Sequence, residues 1–298
     1  MKTAKIKAYA KINITLEITG IENGYHLLDS LVASVDLYDL VCLKKRKDKL
    51  SSVLVKGVGS GEIPPNNNAL KAAEAFSQRF GVNGAEITLY RNIPVGAGLG
   101  SSSADIAGVL NGMAKLYGIE DTHAVESLAE SLGSDTKYML SGGYARMQGR
   151  GERIFPVDFD GKLYMLCICP STGVSAGACY KEYDAGERLP FENATERCIT
   201  ALKNNDLETF ASSLKNDLYP PAKLLNPDVA TAYAEAESFS PLGVVMTGSG
   251  SAVLAFFESR ELCQWAKSRY RGNFQTWVLE TVVKEKEIRN PFALIKDS

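Results

Sequence analysis

An α+β fold is the class this sequence predicts, on three observations. Residues 6 to 18 alternate between apolar and polar side chains, the period of a strand with one face in a core. Ile106, Val109, Leu110, Met113, Leu116 and Tyr117 recur instead at helical spacing. Segments of both kinds interleave without the regular strand–helix–strand repetition of a parallel sheet.

The alternating stretch reads as one long strand, or two with a bend. It puts Ile6, Ala8, Ala10, Ile12, Ile14, Leu16 and Ile18 on one face, and Lys11 and Asn13 together on the polar one. Ile21-Glu22-Asn23-Gly24 marks a hairpin turn, after which Tyr25-His26 opens the next segment. Strands are expected over Leu37–Leu43 and Val53–Val55, a loop over Pro64–Asn68, and a helix over Ala69–Phe80 stopped by Gly81. Ile87 and Leu89 form a strand that delivers a glycine-rich loop. The helix after that loop ends at Gly118, where a C-terminal cap belongs. Asp121 or Thr122 caps a further helix carrying Val125, Leu128, Ala129 and Leu132, ended by Gly133; Tyr144–Met147 is strand-like. The second half begins near Pro156, so the chain divides into residues 1–155 and 156–298. It carries a strand over Leu163–Cys169, a Ser/Gly-rich loop, and helices over roughly 194–204, 206–215 and 227–238. Val244–Met246 and Ala252–Phe257 flank a second glycine loop, and a helix over Leu262–Tyr270 and a strand over Thr276–Val283 follow.

With 298 residues, 45% of them hydrophobic, the chain is long enough for one large or two medium domains with ample core. A net charge of −2 argues against nucleic acid as a partner, which calls for a basic face. No apolar run reaches the roughly 18 residues of a membrane span, and Lys5, Lys7 and Lys11 break up any signal-peptide core. Six cysteines without a Cys-x-x-Cys pair make a zinc site improbable, and reduced thiols in a cytoplasmic protein are expected. Nothing in the sequence separates a monomer from a homodimer.

The most informative stretch is Ile93-Pro94-Val95-Gly96-Ala97-Gly98-Leu99-Gly100-Ser101-Ser102-Ser103, which runs directly into the amphipathic helix. Glycines allow close backbone approach to an anion, and a helix start offers unpaired N–H groups and the positive end of a dipole. Phosphate is the natural guest; a plain Gly/Ser turn with a Ser cap is the other reading of the loop by itself. No lysine follows the glycines, so this is not a Walker A loop, and the glycine spacing is wrong for a dinucleotide fingerprint. Neither a His-Arg-Asp loop nor an Asp-Phe-Gly occurs, which excludes a protein kinase.

Pro94-x-x-x-Gly98-Leu99-Gly100-Ser101-Ser102-Ser103 resembles the second motif of the GHMP kinases, small-molecule kinases named for galactose, homoserine, mevalonate and phosphomevalonate. Ala10-Lys11-Ile12-Asn13 is similar to the first motif and Met246-Thr247-Gly248-Ser249-Gly250-Ser251-Ala252 to the third, in the family's order. The resemblance implies a two-domain fold, a ribosomal-protein-S5-like N-terminal half and a ferredoxin-like C-terminal half, with the active site in the cleft between them. It also implies ATP and Mg²⁺. Backbone N–H groups from Gly96 to Ser103, with Pro94 leading in, would cradle the β- and γ-phosphates, and Ser103 would touch the metal. Asp135 would accept the proton of the substrate hydroxyl and Lys11 would lie beside it; Asp135 also reads as a cap for a following helix. Asn13 would hydrogen-bond the substrate, Asn67 would contact adenine, and Gly248, Ser249 and Gly250 would close over a substrate diphosphate.

Gly24-Tyr25-His26 after the first strand resembles one branch of the family. That branch phosphorylates the 2-hydroxyl of 4-diphosphocytidyl-2-C-methyl-D-erythritol, in non-mevalonate isoprenoid precursor biosynthesis. There the histidine reads the cytosine edge and an aromatic ring stacks on the base. The resemblance gives Tyr25, His26 and Tyr180 that work, although Tyr180 reads equally as a tyrosine packed on a helix. Gly100-Ser101-Ser102-Ser103-Ala104-Asp105 and Gly133-Ser134-Asp135-Thr136-Lys137 both depart from the branch's usual spellings. Two other readings remain: a GHMP kinase for another small alcohol, mevalonate- or homoserine-like, or a non-catalytic nucleotide-binding relative.

Overall fold

The computed structural model describes residues 2–58, 67–187 and 190–283; the expected loop at Pro64–Asn66 lies outside them. The first sheet is built around one long strand. It contains β1 (Thr3–Asn13), β2 (Thr15–Glu22), β3 (Tyr25–Lys45), β4 (Ser52–Gly57), β5 (Ala85–Arg91), β6 (Tyr144–Gly149) and β7 (Arg153–Pro156). β3 pairs antiparallel with β1, β2, β5 and β6, while β4 joins β5 in parallel. The alternating stretch is therefore two strands with a break at Ile14, and Ile14 N–H donates to Leu31 O at 2.8 Å across the break.

Helices α1 (Asn68–Phe80), α2 (Ser101–Tyr117), α3 (Thr122–Leu132) and α4 (Thr136–Ser141) come from the same half of the chain. α2 lies directly against β1 and β3. Its close approach needs Gly108: a Cβ there would come within 2.6 Å of Val41 Cγ2 and 3.0 Å of Ala8 Cβ. Apolar residues of α1, α2 and the sheet, such as Phe76, Leu110, Leu89 and Ile12, share one buried core. Each contributes roughly 1.5–3 kcal/mol by leaving water, so the N-terminus of α2 stands on a rigid base.

The remaining elements are β8 (Tyr164–Cys169), α5 (Ala176–Ala185), α6 (Ala194–Asn204), α7 (Leu207–Ser212), β9 (Lys215–Asn216), α8 (Tyr219–Leu225), α9 (Pro227–Glu237), β10 (Gly243–Met246), β11 (Val253–Phe257), α10 (Arg260–Arg269) and β12 (Gln275–Glu280). β10, β11, β8 and β12 form an antiparallel sheet in that order. Numbered within this sheet and read from the β12 edge, the order is 4-1-3-2, the ferredoxin-like arrangement, so the mixed α+β architecture matches its expectation. β9 crosses over to pair in parallel with β2 of the first sheet. No helix of the described residues is long and apolar enough to cross a membrane.

Three expectations need correction. The helix expected over 206–215 ends at Ser212, because the chain turns at Ser213 and enters β9. α5 replaces most of the loop expected after β8; its first turn, Ala-Gly-Ala-Cys, has too little apolar periodicity to be read. α8 is also additional: Pro220 and Pro221 look like breakers, but they sit in its first turn, where a missing N–H costs nothing.

Candidate active site

From Lys11 to Glu17 the polar face of the first strands is not solvated. Lys11, Asn13, Thr15 and Glu17 are all buried: the second half of the chain meets Asn13, Thr15 and Glu17, and Asp135 with the glycine loop covers Lys11. Where that cover stops, a cleft of about 710 Å³ opens. Of the sequence-predicted residues it is lined by Lys11, Asn13, Tyr25, His26, Gly98, Gly100, Ser103, Asp135, Tyr180, Gly248 and Ser249.

At one end of the cleft is the start of α2. Its N-cap is Gly100, in the left-handed conformation with φ +77°, and no side chain caps the helix. The first N–H groups of a helix have no partner within it, so they remain free for an anion. The preceding loop alternates: Ala97 and Leu99 are buried in the core, whereas Gly96, Gly98 and Gly100 all have positive φ. Its carbonyls are committed elsewhere: Lys11 N–H donates to Leu99 O at 3.0 Å and Ala252 N–H to Ala97 O at 3.1 Å. Gly98 touches the other glycine loop so closely that a Cβ would lie 2.1 Å from Thr247 O. These contacts fix the loop on both halves and turn Ala97, Leu99 and Gly250 inward as packing.

Lys11 and Asp135 meet beside the helix start. Lys11 Nζ is 3.2 Å from Asp135 Oδ2 and donates to Asn13 Oδ1 at 2.6 Å. Asn13 is itself held, its Nδ2 donating to Ser30 Oγ at 2.8 Å and its N–H to Thr247 Oγ1 at 2.8 Å. The capping reading of Asp135 fails: it precedes α4, but its side chain makes no cap hydrogen bond and turns instead to Lys11.

At the other end, His26 stacks on Tyr180 with ring centroids 4.6 Å apart and an interplanar angle of 25°. Its Nε2 lies 2.8 Å from Asp184 Oδ1. Tyr25 stays exposed at the cleft mouth, with the Arg150 guanidinium 3.8 Å from its ring centroid. Tyr180 thus belongs to the cleft as well as to a helix. Burial pushes its phenol pKa well above the ordinary range, and the Asp135 charge adds to this.

Other expected residues stand apart from the lining. Asn67 is the N-cap of α1: its Oδ1 accepts from Ala69 N–H at 2.8 Å and Leu70 N–H at 3.3 Å, so its carbonyl is occupied by the helix. Ser101 is buried, and Ser102 Oγ accepts from Asn68 Nδ2. Pro94 leads into the loop half-buried, outside the lining. Arg150, Lys181, Asp184 and Ser30 line the cleft without having been predicted. Arg150 had a local signal, since Gly149 and Gly151 on either side mark a tight turn; the others are ordinary polar residues until the fold gathers them.

Comparison with known proteins agrees with this geometry. The GHMP kinases N terminal domain matches residues 67–145 and the GHMP kinases C terminal domain residues 198–267. A 4-diphosphocytidyl-2-C-methyl-D-erythritol kinase of Clostridium beijerinckii is 34% identical over 282 residues, covering 91% of this chain and 99% of that protein. One of Caldicellulosiruptor saccharolyticus is 31% identical, covering 96% of this chain and 99% of that protein. A crystal structure of 4-(cytidine 5'-diphospho)-2C-methyl-D-erythritol kinase superposes with a TM-score of 0.77 at 28% identity, over 94% of this chain and 100% of the other. A homoserine kinase from Cytophaga hutchinsonii shares the fold, with a TM-score of 0.74 at 19% identity over 95% of each chain. The chain belongs to the GHMP kinase family, alongside the 4-diphosphocytidyl-2-C-methyl-D-erythritol kinases.

Proposed function

We propose that this protein is an ATP-dependent kinase that phosphorylates the 2-hydroxyl of 4-diphosphocytidyl-2-C-methyl-D-erythritol, a step toward isoprenoid precursors. The observation that carries the reading is one cleft holding both an open helix N-terminus beside Lys11–Asp135 and an aromatic histidine site at its far end. A short acceptor such as mevalonate or homoserine would leave that far end without a partner.

Phosphoryl transfer is largely positioning and charge stabilisation. In this reading the α2 N-terminus and the Gly98–Ser103 backbone hold the phosphates of ATP. Asp135 accepts the proton of the acceptor hydroxyl. Lys11, fixed by Asn13, orients the Asp135 carboxylate and offsets the negative charge that shifts during transfer. Gly248 and Ser249 approach the substrate diphosphate from the second half. Mg²⁺ fits the donor set: the described residues hold no cluster of three or more His, Cys, Asp or Glu, but Ser103 and Asp135 offer oxygen near the phosphate end. Ser103 would hold it, and it would neutralise charge between the β- and γ-phosphates when bound.

All four strands of the second sheet follow β7 in the chain, and only the two-residue β9 returns to the first sheet, which supports residues 1–155 and 156–298 as its two domains. All six cysteines are free thiols, in keeping with a reducing cytoplasmic setting. The test is ADP release measured with ATP alone, with the cytidylated alcohol, and with mevalonate or homoserine. Release only with the cytidylated alcohol is expected; release with another alcohol would transfer the chain to a different GHMP activity, and none with any would make it a binding protein.

A further inference from the structure

The histidine at the base end has a committed nitrogen. His26 Nε2 lies 2.8 Å from Asp184 Oδ1. A carboxylate only accepts hydrogen bonds, so in the neutral ring the proton must sit on Nε2. Nδ1 is then a lone-pair acceptor and nothing else. The ring cannot swing freely, because Tyr180 stacks on one face and Tyr183 meets it edge-on with centroids 6.0 Å apart. All three partners, Tyr180, Tyr183 and Asp184, come from the single helix α5.

We propose that Asp184 is a specificity-determining positioning residue, which locks His26 in the orientation and tautomer whose Nδ1 accepts a hydrogen bond. This rests on the reading that His26 faces the pyrimidine of the substrate. Cytosine offers an exocyclic amino group at the position where uracil offers a carbonyl oxygen. An accepting Nδ1 matches the first and leaves two lone pairs opposed in the second, so the pair selects a cytidine over a uridine diphosphate. Without Asp184 the imidazole can flip or exchange tautomers and present an N–H instead, which suits uracil.

The other titratable or charged groups around the ring are Tyr180 and Tyr183 from α5, and Tyr25 with Arg150 above it. Lys181 and Asp135 line the same cleft. Asp184 Oδ1 is hydrogen-bonded to the imidazole Nε2.

The experiment uses the whole protein with CDP and UDP as probes, by calorimetry, together with ¹⁵N spectra of the imidazoles. The chain has two histidines, so assignment needs only one His123→Gln control. Expected for the wild type near pH 8 is the Nε2–H tautomer of His26 and a CDP preference of roughly 5- to 150-fold, the range for one mismatched buried hydrogen bond. Asp184→Ala and Asp184→Asn should lower the CDP-to-UDP ratio by about 5-fold or more, raise KM for the cytidylated substrate, and leave kcat and ATP affinity in place. An Nδ1–H tautomer in the wild type, or an unchanged ratio in both variants, overturns the proposal. If the wild type does not bind CDP, the base-reading assignment fails as well, while the tautomer of the free protein still reports on Asp184 separately.

Discussion

The two ends of the cleft are built in opposite ways. At the phosphate end the working groups are mostly backbone: the Gly98–Ser103 run and the uncapped start of α2, which follow one another in sequence. At the base end they are side chains from three distant segments: Tyr25 and His26 on β3, Arg150 between β6 and β7, and Tyr180 and Asp184 on α5. A backbone site depends on conformation, so it tolerates changes of side chain but not of glycine. A side-chain site depends on three elements docking correctly, so it is where specificity can change while the chemistry stays.

The comparison can be broken most severely at Gly100. Its φ of +77° and a Cβ position 3.0 Å from Lys11 Cγ leave no room for a β-branched residue. Gly100→Val should take ATP binding below detection by calorimetry, with CDP binding retained. ATP affinity equal to wild type would mean the loop is not the phosphate cradle.

Asp135→Asn comes next. Loss of the proton acceptor should lower kcat by roughly 10²–10⁴-fold, with ATP and CDP affinities nearly unchanged. Turnover close to wild type would remove Asp135 from the chemistry.

A pH effect sharpens the contrast through stability. Asp39 on β3 is fully buried, and its Oδ1 accepts Asn92 N–H at 2.6 Å and Ile93 N–H at 2.9 Å, where the chain enters the glycine loop. Burial raises its pKa to about 6, against the pull of those two hydrogen bonds, with the nearby Asp105 charge adding to the rise. The folded state therefore holds this proton more tightly than the unfolded chain. Asp39 favours folding fully below about pH 4, and that contribution disappears as pH rises through about 6, by up to about 3 kcal/mol. Asp39→Asn keeps an acceptor for both N–H groups and should flatten the stability profile between those values in urea titrations. A profile identical to wild type would show that Asp39 is ionised throughout.

The smallest expected effect is at the base end. His26→Ala should cost about 1–3 kcal/mol, or roughly 5- to 150-fold, in affinity for the cytidylated substrate and for CDP. ATP affinity should stay the same. Equal losses for ATP and CDP would show that the two ends are not independent.

Local signals made much of this molecule legible in the sequence. The period of residues 6 to 18 and of 106 to 117, Gly81 and Gly118 as stops, and the two glycine loops all depend on neighbours within a few residues. Backbone conformation and short-range side-chain periodicity determine such features, so they survive without the fold. What tertiary structure alone decided depends on segments far apart. It buried Lys11 and Asn13 on a face that alternation marks only as polar, and turned Asp135 from a cap toward Lys11. It made β9 out of the end of an expected helix, because β2 offered an edge to pair with. It also brought Asp184 to His26 across 158 residues. An aspartate on a short helix carries no sign of its partner, since hydrogen bonds between side chains require only proximity in space.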